Sequence, residues 1–177
     1  MSEAFPDIPE PAPGSEPPLQ AMGACNQRLQ RHCATARRLA LYVGECGFDA
    51  EARAATGRLL HFFDDVLPRQ HADQERLLFP ELIESMAGSD AVCLRDITDG
   101  LAQQHRELSR LWLRLRPSFA QLASGAATAL PVHEIEGFIA HCQAVAARED
   151  GDLLPMASRL LSDAQMERIG SSIRTPT

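Results

Sequence analysis

The chain has 177 residues and a net charge of −7, and hydrophobic residues make up 45% of it while aromatic residues make up only 5%. A chain of this length can bury roughly two thirds of its unfolded surface in one domain, so a second domain is not required. The negative charge, without any basic stripe, argues against a nucleic-acid partner, and no apolar run is long enough to span a membrane. The sequence is rich in Ala, Leu, Arg, Gln and Glu and lacks runs of β-branched residues, and this composition predicts an all-α protein.

Apolar residues spaced by three and four predict four long helices. Residues 1–18 are acidic and contain six prolines, so a disordered tail is expected before the first helix. The second helix has Pro68 as an expected kink, and a Gly-Ser-Asp turn at 88–90 is expected to start the third. The predicted bounds are 19–45, 49–79, 90–122 and 131–161, followed by a short helix at 163–173 and a frayed end at 174–177.

Four long helices joined by short connections predict an up-down-up-down bundle over residues 19–173. The interior of such a bundle builds metal sites from inward histidines and carboxylates.

One pair of residues is the first sign of such a site. His71 and Glu75 stand four residues apart, so on a helix they project from nearly the same face and can offer a metal two ligands. Pro80 follows a turn later and is expected to bend or end the helix. Taken alone, this spacing is also common in solvated surface pairs, so the pair needs partners on other helices.

Other polar residues fall on the apolar faces of the predicted helices. Asp64 lies on the face of His71, His105 lies in the middle of the third stripe, and Glu149 lies on the fourth with Asp150 beside it. Buried polar groups without hydrogen bonds or a metal would cost about 1–3 kcal/mol each, so these residues call for partners. His61 forms an i,i+4 pair with Asp65 and is expected at the surface.

These blocks together resemble the hemerythrin-like HHE cation-binding family. The resemblance rests on His71-x-x-x-Glu75 followed by Leu-Phe-Pro, on His105 in the next helix, and on Ala-Arg-Glu-Asp-Gly-Asp-Leu-Leu-Pro at 147–155, and it covers residues 19–161. It implies a four-helix bundle with two irons, held by histidines from all four helices and bridged by carboxylates from the second and fourth. Members of the family bind oxygen, sense oxygen or redox state, respond to nitric oxide, or help repair iron centres.

The family's ligands carry over onto five positions of this sequence. His71 and Glu75 match the second-helix ligands, His105 matches the third-helix histidine, and Glu149 or Asp150 matches the fourth-helix carboxylate.

Two positions depart from the family pattern. Asn26 stands where the first helix usually has its histidine, and Val145 stands where the fourth-helix histidine belongs. Valine cannot bind a metal and an asparagine is a poor donor beside an imidazole, so a full di-iron centre is disfavoured. The remaining two histidines and two carboxylates favour a centre with one iron ion. A bundle without metal is nearly as well supported, and a centre with two ions is a further alternative.

A displaced second site is another hypothesis. Relative to Asn26 and Val145, His32 and His141 are shifted toward the same end of the predicted bundle. Asp64, seven residues before His71 on the same helical face, is shifted in that direction too. The alternative is that these residues have drifted in a sequence no longer held to a di-iron centre.

The five cysteines are Cys25, Cys33, Cys46, Cys93 and Cys142. Their odd number and scattered spacing indicate neither a disulfide framework nor a zinc ribbon, and they fit a reducing cytoplasm best. Cys25 and Cys142 fall near the unmatched ligand positions, so thiolate ligation is an alternative, although buried cysteines more often act as small hydrophobes.

Three classes of function follow from this sequence. The favoured class is an iron-binding sensor or carrier for oxygen, nitric oxide or a redox signal, with a small diatomic molecule as its ligand. A metal-dependent enzyme or di-iron repair protein ranks lower, because no nucleophile–base arrangement or cofactor loop is present. A bundle that has lost its metal and acts through protein contacts, with a partner the sequence does not identify, is favoured by the two mismatched ligand positions.

Overall fold

The computed structural model describes residues 5–9, 16–86 and 89–174, without the side chains of residues 89–91, 93 and 174. All regular elements within these residues are helical, which confirms the predicted all-α class.

Eight α-helical segments and three wider π-helical turns follow one another along the described residues. The first long helix is α1 alone, the second is α2, α3 and α4 joined by two π turns, the third is α5, and the fourth is α6 and α7 joined by one π turn. The bounds are α1 Pro18–Cys46, α2 Ala50–His61, α3 Leu67–Asp73, α4 Phe79–Glu84, α5 Ser89–Ala123, α6 Val132–Arg148, α7 Leu154–Leu160 and α8 Asp163–Arg174, with π turns at Phe62–Val66, Gln74–Leu78 and Glu149–Leu153.

The four long helices close into a ring, because α1 and α5 each pack against both α2 and α6. Short connections make neighbours in this ring antiparallel, so the predicted up-down-up-down bundle is confirmed. Asp49 caps α2, its carboxylate accepting a hydrogen bond of 2.9 Å from the backbone N–H of Ala52.

Each π turn in the described chain is followed by a proline two residues after its end: Pro68, Pro80 and Pro155. Proline lacks an N–H and its ring collides with the carbonyl four residues earlier, and a locally widened turn relieves both problems. Such a turn is not obligatory, since α5 continues past Pro117 without one. The expectation that Pro80 bends or ends the helix was therefore wrong on ending, since α4 continues through it to Glu84.

The buried side chains fall into two apolar clusters at opposite ends of the bundle. Members of the large cluster include Leu29, Leu67, Leu108, Val145 and Ala146. Members of the small cluster include Met22, Leu78, Leu101, Leu153 and Ile169. All four long helices run from one cluster to the other, so a layer of side chains must lie between them.

Described segments near both ends of the chain pack on the bundle. Phe5 is buried in the large cluster with its ring 5.2 Å from that of Tyr42, so part of the segment predicted to be a disordered tail has a tertiary contact. Residues 1–4 and 10–15 of that tail, Gly88 of the predicted turn and 175–177 of the predicted frayed end lie outside the described residues. The predicted short last helix is α8, and Arg168 anchors it to Glu81 at 3.0 Å. In the described part of the chain, no helix has the length and apolar character needed to cross a membrane.

Candidate metal centre

The layer between the two apolar clusters is polar. Each of the four long helices contributes to it at the point where the helix passes from one cluster to the other. Its buried members are Asn26 from α1, His71 and Gln74 from the second helix, His105 from α5 and Glu149 from the fourth helix, each at most 6% exposed.

His105 is the centre of this layer. Its Nδ1 lies 2.9 Å from Oε1 of Glu75, and its Nε2 lies 3.1 Å from Oε1 of Glu149 on the opposite side of the ring. The ring of His71 stacks on it at 3.8 Å between centroids with a 4° angle between planes. Two imidazoles and a carboxylate from three different helices therefore meet in one buried place.

The donor atoms of His71, His105 and Glu149 all lie within 4.8 Å of one another. Adjacent ligands of one ion are roughly 3.0–3.4 Å apart when each metal–ligand bond is about 2.1 Å. The 3.1 Å between Nε2 of His105 and Oε1 of Glu149 falls in that range. Oε2 of Glu149 is buried without a hydrogen-bond partner in the described chain, so the site also has a carboxylate oxygen to offer. These residues fit a metal ion.

The electrostatics of His71 also suit metal binding. Burial, with a smaller contribution from neighbouring His105, lowers the pKa of His71 well below its ordinary value. The imidazole is therefore neutral at physiological pH, which is the protonation state that binds metals.

Two π turns supply the carboxylates of the site. Glu75 lies in the turn Gln74–Leu78 and Glu149 opens the turn Glu149–Leu153. A π turn inserts one extra residue and rotates the helix faces that follow it, and such turns are frequent at functional sites. Next to Glu149, the guanidinium of Arg148 packs against Gly100, with Nη1 2.6 Å from the position that a Cβ would take, so a larger residue at 100 would displace the flexible end of Arg148.

Glu75 lies outside the group of three ligands, although the sequence predicted it among them. Oε1 of Glu75 lies within hydrogen-bond distance of Nδ1 of His105, and the Glu75 side chain is 36% exposed. A carboxylate on the far nitrogen of a metal-binding histidine orients the ring and fixes its tautomer. The geometry therefore gives Glu75 a supporting position rather than a place beside Glu149.

The two positions unmatched in the sequence are occupied by other interactions. The side-chain amide of Asn26 donates a hydrogen bond of 2.9 Å to Oδ1 of Asp150, which is itself exposed. Val145 is 2% exposed and belongs to the large apolar cluster. Asp150 thus pairs with Asn26 and stands apart from the group formed by His71, His105 and Glu149.

The structure does not bring His32, Asp64 and His141 together. His32 is buried with its ring stacked on Phe62 at 4.1 Å, while exposed His141 bonds the carbonyl of Gly137 on its own helix at 2.9 Å. Asp64 accepts hydrogen bonds from the side chains of Trp112 and Arg116. The three residues are held in separate contacts and form no metal site in the described chain.

Burial, with smaller contributions from Arg28, Arg58 and His61, lowers the pKa of His32 to about 4. His32 is therefore a neutral core residue at physiological pH.

The cysteines near the unmatched positions lie in the large apolar cluster. Cys25, Cys33 and Cys142 are buried there. Burial, followed by the neighbouring thiol of Cys33, raises the pKa of Cys142 well above its ordinary value. Because the thiolate is the form that binds metals, this environment disfavours ligation by Cys142. His61 lies at the surface, paired with Asp65 at 3.2 Å, where the sequence predicted it.

A cavity of about 620 Å³ reaches the site from outside the bundle. Buried His71 and Trp112 line it together with exposed Leu113, whose side chain is 65% accessible. At its rim, Asp64 accepts hydrogen bonds from Nε1 of Trp112 at 2.7 Å and from Nε of Arg116 at 2.9 Å. Of the three grouped side chains, His71 alone lines this cavity, so the cavity meets the buried centre at that imidazole.

Gln74 is the site residue that the sequence analysis missed. Its side chain is 0% exposed, and neither Nε2 nor Oε1 has a hydrogen-bond partner in the described chain. A signal was present, because Leu67, His71, Gln74 and Leu78 continue the spacing of four, three and four along one helix face.

Comparison with known proteins gives two findings. The profile of the hemerythrin HHE cation-binding domain matches residues 18–157, which is most of the chain. An uncharacterized protein of Haemophilus influenzae is 26% identical over 122 residues, covering 69% of this chain and 68% of that relative.

Proposed function

Because the chain belongs to the hemerythrin HHE cation-binding family, we propose that it binds one iron ion and acts as a sensor or carrier responsive to oxygen, nitric oxide or redox state. The proposed ligands are His71, His105 and Glu149. The observation that carries the proposal is the buried group formed by these three side chains, whose donor atoms all lie within 4.8 Å of one another.

The donor set supports iron in particular. Two histidines and one carboxylate with open positions are the ligands of many non-haem iron sites. Iron held in this way would supply open coordination positions to which a diatomic molecule can bind. The cavity beside His71, with a volume of about 620 Å³, has room for a diatomic molecule, and its walls combine apolar side chains such as Phe63 with the charged side chains of Asp64 and Arg116.

The surrounding residues prepare the ligands. A hydrogen bond from Nδ1 of His105 to Glu75 would fix the tautomer with its proton on Nδ1, so that Nε2, 3.1 Å from Oε1 of Glu149, could bind the ion beside that carboxylate. The lowered pKa of His71 keeps its ring neutral. The two apolar clusters on either side of the layer exclude bulk water and so strengthen the electrostatic attraction between Glu149 and a cation.

One ion, rather than two, is supported by what has replaced the other ligands. Asp150 is engaged by the amide of Asn26, and buried Val145 offers no donor atom. A second ion would need Asp150 released from Asn26 and at least one further donor.

A bundle without metal is a second candidate, and one observation favours it. Both ring nitrogens of His105 already face carboxylates, so the histidine is satisfied in the protein alone if it carries two protons. We further propose a cytoplasmic location, which the scattered cysteines favour, and no nucleic-acid partner, given the net charge of −7.

Calorimetric titration of the chelator-treated protein with Fe²⁺ under anaerobic conditions tests the proposal. We expect one binding event in the wild type, a loss of roughly 100-fold or more in affinity for His71→Ala, and no change for His141→Ala, which removes an exposed histidine. Visible absorption of the loaded protein should then change on addition of nitric oxide or air. An absence of binding to the wild type would favour the metal-free bundle.

A further inference from the structure

Gln74 differs from the other glutamines of the second helix and its neighbours. Gln70, one turn earlier, donates a hydrogen bond of 3.2 Å to the backbone carbonyl of Met22, and Gln165 of α8 donates to Glu81 at 2.9 Å. Gln74 is completely buried, and both polar atoms of its amide lack partners among the described residues. A buried amide without hydrogen bonds destabilises the fold, and a leucine of similar size would avoid that loss.

The position of Gln74 points its side chain toward the polar layer. Leu67, His71 and Gln74 are all buried and fall within an arc of roughly 60° on the α-helical stretch before the π turn. Gln74 follows His71 by three residues, a spacing at which side chains are neighbours on a helix surface. It also opens the π turn that carries Glu75, so the local widening of the helix begins at this residue.

The layer contains a second buried polar atom without a partner, Oε2 of Glu149. The Gln74 amide and this oxygen are contributed by the second and fourth helices, within the same layer between the apolar clusters. A cation in the layer would satisfy the amide oxygen and the carboxylate oxygen together. Amide and carboxylate oxygens are both established ligands for divalent cations.

We infer that Gln74 is a further ligand of the metal centre, binding the ion through its amide oxygen Oε1. The ligand set then consists of two imidazoles, one carboxylate and one neutral amide, drawn from three long helices. This inference rests on the proposed function, since it requires the ion held by His71, His105 and Glu149.

Two glutamine variants test the inference, with Co²⁺ as the probe because its visible spectrum reports its ligands. Gln74→Leu should raise the thermal unfolding temperature of the metal-free protein, by roughly 2–4 °C, since the unpaired amide is removed. The same variant should weaken Co²⁺ binding roughly tenfold or more and alter the visible bands. Gln74→Glu, which keeps an oxygen donor at the position, should restore the binding.

Gln70→Leu is the matched control, because it removes an amide one turn away that already has a partner. It should leave Co²⁺ affinity unchanged and should not raise the unfolding temperature. The inference is wrong if Gln74→Leu binds Co²⁺ as tightly as the wild type with the same spectrum. If the wild-type protein itself binds no Co²⁺ or Fe²⁺, the proposed centre fails and this inference fails with it.

Discussion

The contact between His105 and Glu149 predicts a strongly non-additive pair of substitutions. Replacing His105 by Leu leaves Glu149, which is 1% exposed, with neither carboxylate oxygen hydrogen-bonded. Removing one partner of such a buried pair costs about 3–5 kcal/mol of unfolding free energy. Replacing Glu149 by Leu leaves His105 with its contact to Glu75, so the loss should be smaller, about 1–3 kcal/mol.

The double substitution should recover most of this stability. Leucines at both positions would join the large and small apolar clusters, since Leu101 and Leu108 flank His105 on its helix and belong to one cluster each. Replacement of a buried charged pair by apolar residues of similar volume is often neutral or stabilising. We therefore expect the metal-free double variant to lie within about 1 kcal/mol of the wild type or above it, with a coupling energy of at least about 3 kcal/mol.

Urea-induced unfolding, followed by circular dichroism in the presence of a chelator, measures all four proteins of this cycle. The double variant should be folded and stable but unable to bind Fe²⁺, which would show that the polar layer serves binding rather than folding. Additive losses, with the double variant the least stable of the four, would refute the description of His105 and Glu149 as a buried polar pair between two apolar clusters.

Three further predictions concern other parts of the molecule. Introducing histidines together as Asn26→His and Val145→His should raise the metal content from one ion to two and lower the stability of the metal-free protein by about 1–3 kcal/mol, because Val145 is tightly buried; unchanged metal content would show that the mismatches are not what limits the site. The pKa of His32 is lowered to about 4, so between pH 6.5 and 4 the unfolded protein binds a proton at this residue and the folded protein does not; the contribution of His32 to the unfolding free energy, about 2 kcal/mol, is therefore present above pH 6.5 and is lost as the pH falls toward 4. The unfolding free energy of metal-free His32→Leu should depend less on pH in this window than that of the wild type, and equal slopes in the two proteins would contradict the assignment. Trp112 is the only tryptophan and shares the cavity with His71, so Co²⁺ should quench its fluorescence in the wild type and not in His71→Ala; equal quenching in both would separate the cavity from the site.

The fold was predictable because apolar spacing repeats over many turns. Predicted bounds of 19–45 and 90–122 differ by one residue at each end from α1, Pro18–Cys46, and α5, Ser89–Ala123. The predicted end of the second helix at 79 is wrong, because the chain remains helical through Pro80 to Glu84. A single residue decides such an end, and the π turn that accommodates the proline is set by hydrogen bonding that the apolar pattern does not report.

The site was predictable only in part, for a similar reason. The inward positions of His71, His105 and Glu149 follow from spacing, and the structure brings these three together. The position of Glu75 on the far side of His105 depends on the rotation introduced by a π turn, which i,i+4 geometry does not contain. The role of Gln74 was not predictable either, because the sequence does not distinguish a buried glutamine from one at the edge of a helix face. Its complete burial and its lack of hydrogen-bond partners are known only from the structure.

Contacts between side chains that are far apart in the chain could not be predicted from the sequence. Asp150 is a predicted ligand and Asn26 occupies an unmatched ligand position, and only their 2.9 Å hydrogen bond across 124 residues indicates that they bind one another. Likewise, His32, Asp64 and His141 shift along their helices in the same direction, but rotation about each helix axis carries them into separate environments.

Elemental analysis of protein produced with added iron gives the iron content per chain and so distinguishes a single-ion centre from a two-ion centre and from a metal-free bundle. We expect about one iron per chain in the wild type and none in the double variant of His105 and Glu149. Two irons per chain in the wild type would contradict the single-ion centre. No iron in a folded wild-type protein would contradict the proposed metal-binding function itself.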